Sequence, residues 1–187
     1  MADDKLLKIL FEKSFKYDPD FGFTLASGAK SDIYVDVKRT VLSSEGIDLI
    51  GEAMYEKLKD IEFDGIGGLT LGADPISYST ALICKQKGKP VEVYIVRKEP
   101  KKHGTARPIE GNLTEGAKVV VVDDVVTTGG STIKAIEAVQ AAGFKIVAVV
   151  SVVDRQEGGR ENIKEACGVD LISLVTREDL VALHKKD

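Results

Sequence analysis

Apolar residues recur at helical spacing from the start of the chain. Leu6, Leu7, Leu10, Phe11 and Phe15, separated by lysines and a glutamate, predict an amphipathic helix over residues 3–16. Two short strand-like runs follow, FGFTL (21–25) and IYVDV (33–37), and the turn residues Ser27, Gly28, Ser31 and Asp32 between them predict a hairpin or hood. Ile47, Ile50, Met54 and Leu58 then mark one face of a helix over 44–59, with Ser44 as its cap. A short strand ends at Ile66, and Gly67, Gly68 and Gly72 read as a loop; Asp74 caps the next helix and Pro75 sits in its first turn. Residues 91–97 (VEVYIVR), 119–122 (VVVV), 145–154 (KIVAVVSVVD) and 169–176 (VDLISLVT) are further strands, with a helix ending near Gly143 and a short last helix capped by Thr176. The run 145–154 is apolar almost without interruption, as expected when both faces of a sheet are covered. Alternating strands and helices predict an α/β fold.

The chemistry gathers at one of these strands. The run Val119–Val122 ends in two adjacent carboxylates, Asp123 and Asp124, followed by Val125, Val126, Thr127, Thr128, Gly129, Gly130, Ser131 and Thr132. Small and hydroxyl-bearing residues at a helix N-terminus make a phosphate cradle, because free N–H groups and the helix dipole favour an anion there. The carboxylates cannot share that task; they suit sugar hydroxyls or a divalent cation beside the phosphate. A β–α turn that happens to be small and acidic is the alternative. Neither G-x-x-x-x-G-K-[ST] nor a helix-opening G-x-G-x-x-G is present.

A chain of 187 residues, 43% of them hydrophobic, supports one domain with a full core, 1–187. The net charge of −4 does not suggest nucleic-acid binding, so an anionic substrate needs a local cluster of cations. That cluster is at hand in residues 97–111, which hold Arg97, Lys98, Lys101, Lys102 and His103 before Gly104. A solvated charged loop is the alternative there. Cys84 and Cys167 lack metal or redox spacing and read as free thiols in a reducing, cytoplasmic setting; no signal peptide or membrane span is expected.

VVVVDDVVTTGGS resembles the phosphoribosyl-pyrophosphate (PRPP) motif of the type I phosphoribosyltransferases. R-K-x-x-K-x-H-G, beginning at Arg97, matches the mobile catalytic loop of the orotate phosphoribosyltransferases, and D-R-x-E-x-G at Asp154 resembles a further segment of that family. The resemblance implies a type I phosphoribosyltransferase fold: a central, mainly parallel sheet flanked by helices, a small N-terminal hood (about 1–40) and a mobile loop (about 98–109) that stays open without substrate.

It also implies transfer of the phosphoribosyl group from PRPP to orotate, in pyrimidine biosynthesis, with Mg²⁺ held mainly by substrate and water. PRPP would be bound by Arg97, Lys98, Lys101, His103 and Asp123 through Ser131 (Asp123, Asp124, Val125, Val126, Thr127, Thr128, Gly129, Gly130, Ser131), with Lys101, His103 and Asp124 catalytic. Thr127 and Arg155 would contact orotate, although a salt bridge from Arg155 to Glu157 is the alternative for that arginine.

Thr70, Leu71, Gly72, Ala73 and Asp74 would form the pyrophosphate loop, or else a tight turn needed only for packing. A homodimer is implied, the basic loop of each subunit closing on its neighbour's site. One position departs from the family's L-K-S-G-x-K-S segment: Ala26 stands where that pattern has lysine, while Lys30 matches the later one. A purine phosphoribosyltransferase and a PRPP-sensing regulator share the fold; His103-Gly104 with Arg155 argues against the first, and the intact basic loop against the second.

Overall fold

The computed structural model describes residues 4–20, 22–24, 30–99 and 108–185. Seven helices and ten strands alternate through these residues. The centre is a six-stranded sheet in the order β10-β9-β8-β5-β6-β7, comprising β5 (Gly65–Leu69), β6 (Glu92–Val96), β7 (Ile109–Glu110), β8 (Lys118–Val126), β9 (Lys145–Asp154) and β10 (Leu171–Thr176). Every pairing is parallel except β6–β7.

Both faces are covered, which explains the unbroken valine runs. Val120, Val122, Val150 and Val152 pack with α1 (Asp4–Ser14), α3 (Ser44–Leu58), α4 (Ala73–Gln86) and α7 (Arg177–His184). Their alternates Val119, Val121 and Val149 pack with α5 (Gly130–Ala141) and α6 (Gly159–Cys167). Alternation along one strand therefore builds two separate apolar cores.

The N-terminal segment forms two small antiparallel ladders. β1 (Phe15–Tyr17) pairs with β4 (Ile33–Val35), and β2 (Phe23–Thr24) with β3 (Lys30–Ser31). The main-chain bonds Asp18 N to Asp32 O and Asp36 N to Ser14 O close this unit. A four-residue helix, α2 (Lys38–Val41), follows where no element was expected.

Several sequence expectations are corrected. The strand expected to stop at the two acids runs on to Val126, because β9 pairs with it as far as Asp154. Gly67 and Gly68 are inside β5 rather than in a loop. Ser43, not Ser44, caps α3, its hydroxyl accepting from Gly46 N at 3.2 Å. Asp74 lies in the first turn of α4 and does not cap it. Helix α6 escaped notice because Ile163 is its one fully buried large apolar side chain; Gly158 and Gly168, both at positive φ, bracket it. His184, read as a surface residue, packs its ring against Tyr17 with centroids 4.6 Å apart. Thr176 does cap α7, in a capping box with Asp179.

The close approach of β5 to β8 and α4 depends on glycine. A Cβ on Gly68 would lie 2.1 Å from the Val122 carbonyl oxygen and 2.8 Å from Ala73 Cβ. Both neighbours are fixed in the core, so Gly68→Ala is expected to destabilise the fold by about 2 kcal/mol or more, read as a lower urea midpoint at unchanged slope.

Candidate active site

The register of the sheet brings the chemistry to one edge. Val126 pairs with Asp154, and Thr176 pairs with Asp154 from the other side, so β8, β9 and β10 end level. Leu69 pairs with Val96, so β5 and β6 also end together. The residues immediately past the carboxyl ends of β5, β6, β8 and β9 are Thr70, Arg97, Thr127 and Arg155, all of them singled out by sequence. The carboxyl edge of an open parallel sheet is where such folds bind ligands.

A cleft of about 590 Å³ opens there, lined by Asp123, Asp124 and Val125, by Thr127 through Ser131, and by Arg155. Gly129 is the residue before α5 and takes φ +84°, a left-handed conformation that favours glycine. No side chain caps α5, so the loop expected from sequence lies at a helix start whose first N–H groups have no side-chain cap. Val126 is buried in the core, so any part it takes in binding is through its main chain. Two other clefts, of about 390 and 610 Å³, carry none of the expected site residues.

The paired carboxylates differ in surroundings. Asp123 is 6% exposed; its oxygens accept from Thr132 Oγ1 at 2.7 Å and from the Asp124 N–H at 3.0 Å. Burial, reinforced by the neighbouring Asp124 charge, pushes the Asp123 carboxyl up to about 7, and the Thr132 hydroxyl holds it back from rising further. Asp124 is more open: Oδ1 accepts from Val125 N at 2.9 Å, and Oδ2 lies 3.8 Å from Lys38 Nζ.

Arg155 is 4% exposed and reaches across to the N-terminal unit. Its Nη2 donates to Ser31 Oγ at 3.0 Å and to the Ile33 carbonyl at 3.3 Å, and pairs with Glu157 Oε1 at 2.9 Å. The salt bridge weighed against a binding role is therefore present, yet the side chain also lines the cleft, and its buried Nε has no hydrogen-bond partner. Arg160 is structural: it holds the wholly buried Asp154 and ties it to Leu171 O and Ser173 Oγ of β10.

The loop Thr70–Asp74 contains a cis peptide between Thr70 and Leu71. The Thr70 hydroxyl donates to Asp74 Oδ2 at 2.6 Å, so the aspartate closes the loop from below instead of capping the helix. Gly72 abuts the site directly, since a Cβ there would lie 2.8 Å from Asp124 Oδ1.

Arg97 pairs with Glu110 at 3.2 Å, and Lys98 is exposed; neither lines the cleft. Lys101, His103 and most of the basic loop lie outside the described residues, as does Ala26. Lys30 donates to Thr24 Oγ1 at 2.9 Å within the N-terminal unit. Sequence reasoning missed Tyr34, Lys38 and Lys134, which also line the cleft. Tyr34 and Lys38 belong to a segment read only as strand or not at all, and no motif marks them. Lys134 lies one turn past the cradle on α5, where spacing alone could have found it.

Among the described residues no group of three or more His, Cys, Asp or Glu side chains is placed to hold a metal. The donor set at the cleft is one carboxylate pair. That suits a cation such as Mg²⁺, which retains water and substrate oxygens, and does not suit one needing a full protein cage.

Residues 44–181 match the phosphoribosyl transferase domain family. The chain is similar to the orotate phosphoribosyltransferase of Aquifex aeolicus, 46% identical over 178 residues that cover 95% of this chain and 97% of that one. Among solved structures it is similar to Mycobacterium tuberculosis orotate phosphoribosyltransferase in complex with Fe(III) dicitrate, with TM-score 0.80, 38% identity and coverage of 94% and 97% of the two chains. The same enzyme in complex with PRPP matches with TM-score 0.76 and 35% identity, covering 94% of this chain and 96% of that one.

The Asp123 carboxyl favours its protonated form in the fold, so its pKa lies above that in the unfolded chain. Its contribution to stability is complete below the unfolded value near ~4, falls as pH rises toward 7, and is level above that. Asp123→Asn is expected to lose this dependence: relative to wild type its unfolding free energy improves steadily between about pH 4 and pH 7, then stays parallel, as measured by urea titration at each pH.

Proposed function

The chain belongs to the orotate phosphoribosyltransferase family, and we propose that the cleft at the carboxyl ends of β8 and β9 is where it transfers the 5-phosphoribosyl group from PRPP to orotate. The observation that carries this reading is the meeting, in one cleft, of an uncapped helix N-terminus, a carboxylate pair and a buried arginine. They suit respectively the phosphate, the ribose and the carboxylate of the base. The reaction yields orotidine 5′-monophosphate and pyrophosphate, a step of pyrimidine biosynthesis.

Residues 127–131 hold the 5′-phosphate. This anchor is remote from the reacting carbon, so its binding energy is available for orientation. Asp123 and Asp124 accept hydrogen bonds from the ribose hydroxyls, and Asp124, the more open of the two, is the candidate base for the orotate N1 proton. The C1′–O bond to pyrophosphate breaks with its electron pair going to the leaving oxygen, through an oxocarbenium-like ribose. N1 then bonds to C1′ from the opposite face. Thr127 and Arg155 orient the base for that attack. Asp123 and Asp124 are the side chains that would stand beside a Mg²⁺ ion carried in with the substrate, which would supply neutralising charge at the pyrophosphate.

Arg97, Lys98, Lys101 and His103 are assigned to the leaving pyrophosphate, in the site of the neighbouring subunit of a homodimer. Support for a second copy comes from large apolar side chains left in solvent: Tyr78 and Leu82, one turn apart on α4, and Leu71 in the loop before that helix are each more than half exposed. Free Cys84 and Cys167 fit a reducing, cytoplasmic setting. No helix among the described residues is long and apolar enough to cross a membrane.

Orotate absorbance is expected to fall when PRPP and Mg²⁺ are added, and not when adenine, hypoxanthine or uracil replaces orotate or when Mg²⁺ is chelated. Arg155→Ala should lower kcat/KM for orotate by at least about a hundredfold. Turnover with a purine instead would refute the choice of base. Subunit sharing has its own test. Lys101→Ala and Asp124→Asn are each expected to be nearly inactive, whereas an equimolar mixture should recover about a quarter of the wild-type rate, because half of the dimers then carry one intact site. A mixture no more active than its components refutes action across the dimer.

A further inference from the structure

The loop assigned to pyrophosphate carries no cation. Thr70–Asp74 offers main-chain N–H groups at the start of α4, and its one charged side chain, Asp74, is negative. The family's lysine ahead of Ser27 is replaced by Ala26. A leaving group bearing several negative charges would therefore meet a cation only on the loop attributed to the neighbouring subunit.

We propose that Lys38 supplies the missing charge, as a pyrophosphate-binding residue of the PRPP site; this rests on the transferase reading above. Lys38 is the first residue of α2, immediately after the N-terminal unit, and lines the cleft with half of its side chain exposed. Its Nζ lies 3.0 Å from Asp36 Oδ1 and 3.8 Å from Asp124 Oδ2. The same carboxylate lies against Gly72 of the pyrophosphate loop, its oxygens 2.8 and 3.1 Å from where a Cβ would stand. Lys38 thus faces that loop across a single carboxylate.

The neighbouring charges support the assignment. Arg155 is engaged with Glu157, Ser31 and Ile33, and Lys134 lies on α5, on the 5′-phosphate side. Asp36 is a positioning residue: its carboxylate, ion-paired with Lys38 at 3.0 Å, is the largest influence on that group and holds the ammonium above its ordinary pKa. An ammonium has three donors, so Lys38 can keep Asp36 and turn another N–H from Asp124 to a phosphoryl oxygen.

The test is calorimetric titration of the intact protein in buffer with MgCl₂, using PRPP, inorganic pyrophosphate and ribose 5-phosphate. Lys38→Met is expected to weaken PRPP and pyrophosphate by roughly tenfold to a hundredfold, the range for losing one charged hydrogen bond. Ribose 5-phosphate, which lacks the pyrophosphate, should stay within about twofold. Lys38→Arg should recover most of the loss. Should Lys38→Met melt below the assay temperature, Lys38→Gln reads the same loss of charge while keeping a donor for Asp36. Equal weakening of ribose 5-phosphate would show that Lys38 only shapes Asp124 and would overturn the inference, as would unchanged pyrophosphate binding. A wild-type protein that binds none of the three refutes the transferase reading first and this inference with it.

Discussion

The constraint on which the rest depends is that β5, β6, β8 and β9 run parallel in one sheet, β5 ending with β6 and, about three residues further along, β8 ending with β9. Parallel pairing requires crossover connections over the faces of the sheet, so helices cover both faces and the carboxyl ends of these strands point to the same edge. Four loops of very different composition are thereby brought to one place, although Thr70 and Arg155 are far apart in sequence. The valines of β8 and β9 make that edge rigid. Each packs into one of two cores, so the strands cannot slip by one residue without turning apolar side chains toward the wrong face.

The proposed function carries a cost, because it would place a polyanion beside two carboxylates. The structure treats them unequally. Asp123 is buried on an internal strand, satisfied by the Thr132 hydroxyl and the Asp124 N–H, and its proton is held more tightly than usual. Asp124 is half-buried at the cleft and has Lys38 within 4 Å. Burial of one and a nearby cation for the other reduce the repulsion between neighbours that could not both be freely ionised in a dry interior. The helix dipole of α5 and the uncapped N–H groups at its start could then receive an anion with little competition from either carboxylate.

How much of this was legible in the sequence follows from how local each signal is. The cradle at Thr127–Ser131, the acids before it and Arg155 after β9 were all visible, because strand, loop and helix follow one another directly and the residue types are distinctive. The end of β8 was misjudged: a charged residue reads as a boundary, whereas pairing to Val153 and Asp154 carries the strand through Asp123 and Asp124. Gly67 and Gly68 read as loop because glycine weakens strands in isolation; here they let Tyr94, Val122 and Ala73 approach, a demand that exists only in the folded sheet. Lys38 gave no signal at all. Its significance lies in contacts with Asp36 and Asp124, the second of which depends on tertiary structure alone.

Arg155 shows how base recognition can be joined to the N-terminal unit. An arginine paired only with Glu157 would be a structural link at the end of β9. This one also donates to Ser31 Oγ and Ile33 O, while Ser31 itself both donates to Ile33 O and accepts from Ile33 N. One buried guanidinium therefore ties the sheet edge to the small antiparallel unit above it, and the same side chain lines the cleft. A planar substrate carboxylate reaching that fork would bind a group whose position is already set from two sides, so little orientation entropy is left to lose on binding. In the same way Tyr34, stacked on Phe23 with centroids 5.6 Å apart, presents a fixed aromatic wall to the cleft beside Lys38. Under the proposed function, selectivity for an acidic, flat base would arise from the joint between two substructures, and neither the sheet nor the N-terminal unit would contain it alone.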